Sequence, residues 1–348
     1  MTEKRRVMTS EPFTVLTGVQ PTGVPHIGNY VGAIRPALRL AAAHERSLLF
    51  IADYHALNAV HDPEALREST YKVAACWLAL GLDPDTTILY RQSDIPEIME
   101  LVTVLAAVTP KGLMDRSHAY KAAVDRNREE GRDPDADVNM GLYTYPILMA
   151  ADILAARTDV VPVGKDQVQH MEFTRDIAGY FNNTFGAVFK LPEYRLESGE
   201  SGGVLPGIDG RKMSKSYGNG IPVFIDDARR RKLVMKIKTD PKPPEAPKEP
   251  DENLIYQIFR HFGTSEEVSA MATGFRKGGL GYRDAKQTLY EALEREFEEP
   301  TRTYNDYMAN RGRLDEILEA GALRARRTAR ATLSDAREAI GLKRLKPL

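Results

Sequence analysis

One cysteine, Cys76, is all the thiol this chain has. That excludes an internal disulfide, a cysteine-rich zinc site and an iron–sulfur cluster held within one chain. Cys76 lies in Val73-Ala74-Ala75-Cys76-Trp77-Leu78, an apolar helical run, and so reads as core. No stretch approaches the roughly 18 consecutive apolar residues of a membrane span. The start, Met1-Thr2-Glu3-Lys4-Arg5-Arg6, is not followed by an apolar run of signal-peptide length. A reduced, cytoplasmic compartment and no membrane partner are therefore expected. Excess charge is missing too. A formal net charge of −1 argues against a general DNA- or RNA-coating protein and leaves room for one local basic face. Internal repeats and low-complexity tracts are absent. What remains is 348 residues with 42% hydrophobic and 28% charged content, a globular composition suited to two domains.

The first half alternates β-branched runs with helical periods, the pattern of a parallel sheet covered by helices. Strands are predicted at Thr14–Thr17, Leu48–Ile51, Thr87–Arg91 and Asp159–Val163. Helices are predicted at Asn29–Ala43, Glu64–Leu80, Glu97–Val108, Tyr145–Ala156 and Gln167–Phe181. The charged stretch Asp125–Asp137 has no apolar period and reads as a mobile insertion. From about Asp226 the pattern is helical without strands. Asp226–Lys238 is strongly basic, and Asp240–Pro250, punctuated by Pro241, Pro243, Pro244, Pro247 and Pro250, reads as an extended loop. Helical periods return at Glu252–Phe262, Arg283–Phe297, Thr303–Met308 and Arg324–Ile340. The reading is an α/β catalytic domain over residues 1–222, with a helical insertion at about 97–142. A helical domain over 223–348 follows, and its last helix is free to pack back on the first.

Two loops carry candidate chemistry. In Thr17-Gly18-Val19-Gln20-Pro21-Thr22-Gly23-Val24-Pro25-His26-Ile27-Gly28-Asn29-Tyr30 a strand enters a glycine-rich turn and then a helix whose first N–H groups are unpaired and attract an anion. Gly28 leaves room for a base or ribose, and His26 and Asn29 can donate to phosphate oxygens. The spacing is neither G-x-G-x-x-G nor a P-loop. In Arg211-Lys212-Met213-Ser214-Lys215-Ser216-Tyr217-Gly218-Asn219-Gly220, two lysines among small hydroxyl residues and glycines describe a cationic loop. Such a loop can close over a polyphosphate and neutralise charge growing on pyrophosphate. Either loop alone is as ordinary as a βα turn or a solvated surface; the pair is informative.

Together, H-I-G-N and K-M-S-K-S resemble the signatures of the class I aminoacyl-tRNA synthetases. The runs Gly141-Leu142-Tyr143-Thr144-Tyr145-Pro146-Ile147-Leu148-Met149-Ala150-Ala151-Asp152-Ile153-Leu154 and Thr158-Asp159-Val160-Val161-Pro162-Val163-Gly164-Lys165-Asp166-Gln167-Val168-Gln169-His170 resemble the tryptophan enzymes among them. The similarity extends from about Thr14 to the C-terminus. Independently of the resemblance, Tyr145, Met149 and Asp152 are spaced i, i+4, i+7 and share a helix face. A core stripe suits the first two. It does not suit a carboxylate among apolar neighbours, which is costly to bury without a donor. An apolar slot with one acceptor matches an indole, a flat apolar body with a single N–H.

The resemblance implies a Rossmann-type catalytic domain, a helical anticodon-binding domain, a homodimer, and tRNA(Trp), L-tryptophan and ATP as partners rather than DNA. Mg²⁺ would accompany ATP, with no protein metal site. It assigns catalysis to His26, Asn29, Lys212 and Lys215. ATP falls to Gln20, Pro21, Thr22, Gly28, Asn29, Gly164, Lys165, Asp166, Val204, Lys212, Met213, Ser214, Lys215 and Ser216. Tryptophan falls to Gly18, Gln20, Tyr145, Met149, Asp152, Val161, Val163 and Gln167. Asp166 reads equally as the N-cap of the following helix. The chain departs from the family pattern before Thr14, at 125–137, and in Tyr217-Gly218-Asn219-Gly220. A tyrosine enzyme, a small-molecule nucleotidyltransferase and a non-catalytic tRNA-binding homologue are the rival readings. Finally, Arg311–Leu348 holds twice as many Lys and Arg as Asp and Glu. The cluster Arg324, Arg326, Arg327 and Arg330 is therefore the expected tRNA contact.

Overall fold

The computed structural model describes residues 13–164, 167–196 and 205–348. Its centre is a five-stranded parallel sheet of β1 (Thr14–Val19), β2 (Arg46–Ile51), β3 (Thr87–Arg91), β4 (Val160–Val163) and β5 (Glu193–Leu196), in the order β3-β2-β1-β4-β5. Alternation along the strands sorts side chains onto two cores. Leu49, Ile51 and Leu89 enter one; Leu48, Phe50, Ile88 and Tyr90 enter the other. The order reverses between β1 and β4, which share only the Val15–Val160 pair. The two strands therefore part toward their carboxyl ends and leave a crevice at the point where such sheets bind ligands.

The expected strands are all present, within two residues of their predicted ends. β5 was not predicted because its four side chains are all exposed and show no apolar alternation. The helix Ser265–Lys277 was also missed, although Thr264 and Glu267 form a capping box at its start and the T-x-x-E spacing is visible in the sequence. The predicted segments 283–297 and 303–308 are one helix, Tyr282–Ala309, continuous through Pro300. The helix entering from the first signature loop widens into a π turn over Tyr30–Ile34. Pro36 has no N–H to return to Gly32, and the wider turn absorbs that loss.

Two expectations are corrected. The charged stretch 125–137 is built into the fold. A helix, His118–Glu129, runs into it, and buried Asn127 donates to the carbonyls of Pro134 (3.0 Å) and Ala136 (2.7 Å), closing the loop on itself. The C-terminal arginines are largely spent. Arg326 and Arg330 pair with buried Glu97 at 3.0 and 3.3 Å, and Arg324 donates to the Pro84 carbonyl at 2.9 Å; of the four, Arg327 is exposed. Burial pushes the Glu97 carboxyl up, but the two guanidiniums outweigh it and hold it below the usual range.

These contacts explain the course of the last helix, Arg311–Ala339. Leu314 and Leu318 enter one core, Ala322, Ala325 and Ala329 the other, so the helix crosses the edge of the sheet at β3. Gly321 makes the crossing, where an added Cβ would sit 1.8 Å from the Leu89 carbonyl oxygen. A helix thus covers what would be an open sheet edge.

Candidate functional site

A cleft of about 1440 Å³ opens at the carboxyl ends of β1 and β4. On its β1 side the first signature loop is held by reciprocal bonds. Asn29 N donates to His26 Nδ1 at 3.1 Å, and His26 N donates to Asn29 Oδ1 at 3.2 Å. With Nδ1 accepting, the ring proton of neutral His26 is on Nε2, which can donate into the cleft. Burial lowers the His26 pKa first and the Lys215 charge lowers it further, against a backbone hydrogen bond that raises it. At Gly28 an added Cβ would meet His26 Nδ1 at 3.0 Å and Met213 Sδ at 3.3 Å, so the packing of the two loops leaves little space for a side chain.

The lysine loop lies directly on this turn. Ile27 N donates to Ile221 O (2.9 Å) and Val223 N to Pro25 O (3.0 Å), fastening the second loop's exit to the first. Met213 is buried, and its N–H reaches Leu205 O at 2.9 Å. Asn219, in the segment where the chain departs from the family pattern, braces the loop from inside. Its Oδ1 accepts from Ser214 N (2.9 Å), and its Nδ2 donates to Asp209 Oδ1 (2.7 Å) and Lys212 O (3.1 Å). Lys215 Nζ donates to Thr22 O at 2.7 Å and Gly23 O at 3.4 Å, and both Lys212 and Lys215 are exposed. Partial burial lowers the Lys215 pKa.

One consequence is measurable. Protonated His26 could no longer accept at Nδ1, so the arrangement requires the neutral ring. A lowered pKa extends the neutral form to lower pH, and removing the Lys215 charge should move it back up. In a ring-proton NMR titration, His26 should titrate below 6.5, and higher in Lys215→Met than in the parent. A parent midpoint at or above 6.5 would refute this account.

The other arm of the cleft is apolar with few polar groups, as small-ligand sites commonly are. Gly18, Gln20, Tyr145, Met149, Val161, Val163 and Gln167, assigned to tryptophan, line the cleft, and so do Gly164, assigned to ATP, and Phe50, Ala52 and Ile153. Tyr145 is held by its hydroxyl, 2.6 Å from His170 Nε2. Thr22, Gly28, Asn29, Lys212, Met213, Ser214, Lys215 and Ser216 line the other arm. Pro21 is buried and does not line the cleft. Lys165, Asp166 and Val204 lie outside the described residues. Among the described residues, no cluster of three His, Cys, Asp or Glu side chains could hold a metal.

Asp152 is 1% exposed and sits behind the lining. The donors that a buried carboxylate demands are present. Gln92 Nε2 lies 2.9 and 2.8 Å from its two oxygens, and His55 Nε2 lies 3.0 Å from Oδ2. Burial raises the Asp152 pKa, against the bonds from His55 and Gln92. His55 lines the cleft, so Asp152 meets it across His55. Sequence reasoning missed both His55 and Gln92. Each follows a strand's carboxyl end, β2 and β3, and that position was the available signal.

The comparisons with known proteins agree with this geometry. A family model described as class I tRNA synthetases (W and Y) matches residues 8–298. The tryptophan–tRNA ligase of Neisseria meningitidis serogroup A is 52% identical over 95% of this chain and 98% of its own. The chain belongs to the class I tryptophanyl-tRNA synthetases. That family membership extends to the fold. The Campylobacter jejuni tryptophanyl-tRNA synthetase, solved with ADP and tryptophan, superposes with a TM-score of 0.85 at 40% identity, covering 95% of this chain and 100% of that one. The Pseudomonas aeruginosa tryptophan–tRNA ligase is 47% identical over 95% of this chain and 74% of its own. A tyrosyl-tRNA synthetase from Archaeoglobus fulgidus, at 21% identity and a TM-score of 0.59, shares the fold. A tryptophanyl-tRNA synthetase is an enzyme of ligase type, and the Rossmann-type sheet with its helical C-terminal half is the architecture of this family. No helix among the described residues is long and apolar enough to cross a membrane.

Proposed function

We propose that the chain activates L-tryptophan with ATP and transfers it to tRNA(Trp), using the residues of this cleft. The tryptophan carboxylate oxygen attacks the α-phosphorus of ATP, the bond to the bridging oxygen breaks, and pyrophosphate leaves with the electron pair. No covalent nucleophile is required; positioning and charge stabilisation suffice. Lys215 and Lys212 meet the charge growing on pyrophosphate, and His26 Nε2–H and Asn29 donate to phosphate oxygens. Mg²⁺ accompanying ATP would neutralise phosphate charge. A ribose hydroxyl of the tRNA's terminal adenosine then attacks the mixed anhydride, releasing AMP. Lys165, Asp166 and Val204 belong to the same ATP assignment. The observation carrying this reading is the lysine loop fastened over the first signature loop, with Lys215 Nζ 2.7 Å from Thr22 O. Amino-acid-dependent ATP–pyrophosphate exchange tests it: tryptophan should support exchange and tyrosine should not. Exchange with tyrosine in preference would transfer the assignment to the tyrosine enzymes.

Residues 1–222 are the catalytic domain in this reading. Residues 223–348 bind the anticodon arm, except that the last helix is tied to the sheet through Glu97 and Leu89. The active form is a homodimer, supported by the family resemblance. At low micromolar concentration, sedimentation should give twice the 38.8 kDa chain mass. A single species at the chain mass would exclude the dimer. A cytoplasmic location completes the proposal.

A further inference from the structure

With Arg326 and Arg330 spent on Glu97 and Arg324 on Pro84, a run of exposed positive charge remains on the helix Asp227–Met235 that follows the lysine loop. Its inner face is locked. Arg230 is 1% exposed and pairs with Glu294 at 2.5 Å, and Val234 and the adjoining Ile237 are fully buried. The opposite face carries Arg229, Lys232 and Lys236, spaced i, i+3, i+7, with Lys238 just beyond; all four are exposed. Among the described residues none of these four side chains has an ion pair or hydrogen bond. The nearby acids are engaged. Asp226 caps the helix through Arg229 N, Asp227 accepts from Tyr290, and Asp240 accepts from Tyr282 and Lys242 N. Arg231 is turned aside over the Tyr290 ring and bonds Gln287.

We infer that Arg229, Lys232, Lys236 and Lys238 form a phosphate-binding ridge for the ribose–phosphate backbone of the tRNA substrate. This deepens the proposed function and rests on it. Arg229 to Lys236 spans about 10 Å, enough for neighbouring phosphates of one strand. Because the inner face is packed, the helix backbone that carries the ridge is fixed before binding. It is also joined to the catalytic loop through the backbone. Lys238 N donates to Ile208 O (2.8 Å), Ile208 N to Asn219 O (3.0 Å), and the Asn219 side chain holds Ser214. A chain of net charge −1 thereby gains a local anion-binding face without general affinity for nucleic acid.

Each phosphate contact releases counterions, so its removal lowers the salt slope of binding by about 1. In the triple variant Arg229→Gln/Lys232→Gln/Lys236→Gln, the slope of log affinity for tRNA(Trp) transcript against log salt should fall by about 2 to 3. The KM for tRNA in aminoacylation should rise, with tryptophan-dependent exchange and thermal stability unchanged. Lys232→Arg/Lys236→Arg, which keeps the charge, should retain the parent slope. An unchanged slope and tRNA KM in the triple variant overturn the ridge, as does lost affinity for anionic vesicles with tRNA binding intact. A parent chain that shows the slope effect yet is inert in tryptophan exchange would refute the activity and leave the ridge standing.

Discussion

Lys215→Ala should lower the rate of tryptophan-dependent ATP–pyrophosphate exchange by about 10² to 10³, the cost of removing one pre-placed charge donor. Tryptophan affinity should stay near that of the parent. The split follows from geometry. Lys215 Nζ rests on the carbonyls of Thr22 and Gly23, on the first signature loop, whereas the tryptophan arm is lined by Tyr145, Met149, Val161 and Val163. Its ammonium rests on two carbonyl oxygens, which phosphate oxygens can replace as acceptors. An interaction made only in the transition state lowers kcat and kcat/KM together. Lys212→Ala should also raise the KM for ATP, because it removes a second positive charge from the loop that closes over the phosphates. Exchange kinetics at the parent rate in Lys215→Ala would remove that lysine from the mechanism. An equal loss in tryptophan binding would make its role structural.

The two signature loops were legible in the sequence because their chemistry is local. A strand, a glycine turn and a helix start are consecutive, and so are the lysines with the residues that brace them. Asn219 was visible only as a departure from the family pattern; its function as a brace depends on Asp209 and Lys212 being folded around it. Residues that act through distant partners were not legible. Arg326 and Arg330 look like any basic patch until Glu97, 229 and 233 positions away, is brought beside them. Charge in a sequence shows sign but not partner, and here the partner decided between a tRNA contact and a helix strap. The charged stretch 125–137 was misread for a related reason. Polar side chains such as Asn127 can close a loop through backbone carbonyls without any apolar period.

Asp152 is the residue on which selectivity should depend most. In the parent, a tryptophan analogue with sulfur in place of the indole N–H should be rejected by about 10⁴ to 10⁵ in kcat/KM, because its binding leaves a buried polar group unpaired. Asp152→Ala should collapse that discrimination by at least about tenfold, through a large fall for tryptophan and a much smaller one for the analogue. Asp152 is buried behind the lining, so it acts by fixing the ring of His55, which lines the cleft and does the reading. Double variants with His55→Ala test this: no further loss on the second substitution means that Asp152 acts through His55, and full additivity refutes it. Removal also strands Gln92 Nε2, which donates to both oxygens, so the protein should lose about 1 to 3 kcal/mol of stability per unpaired group. Asp152→Asn keeps the volume and serves where the alanine variant does not fold. Its amide still presents one oxygen to Gln92, but its nitrogen faces a donor, so discrimination should fall with a smaller stability loss. Exchange measured with both substrates on parent and variants closes the cycle. If the substitutions weaken tryptophan and the sulfur analogue equally, Asp152 supports the cleft without reading the indole, and selectivity belongs to the apolar walls formed by Met149, Val161 and Val163.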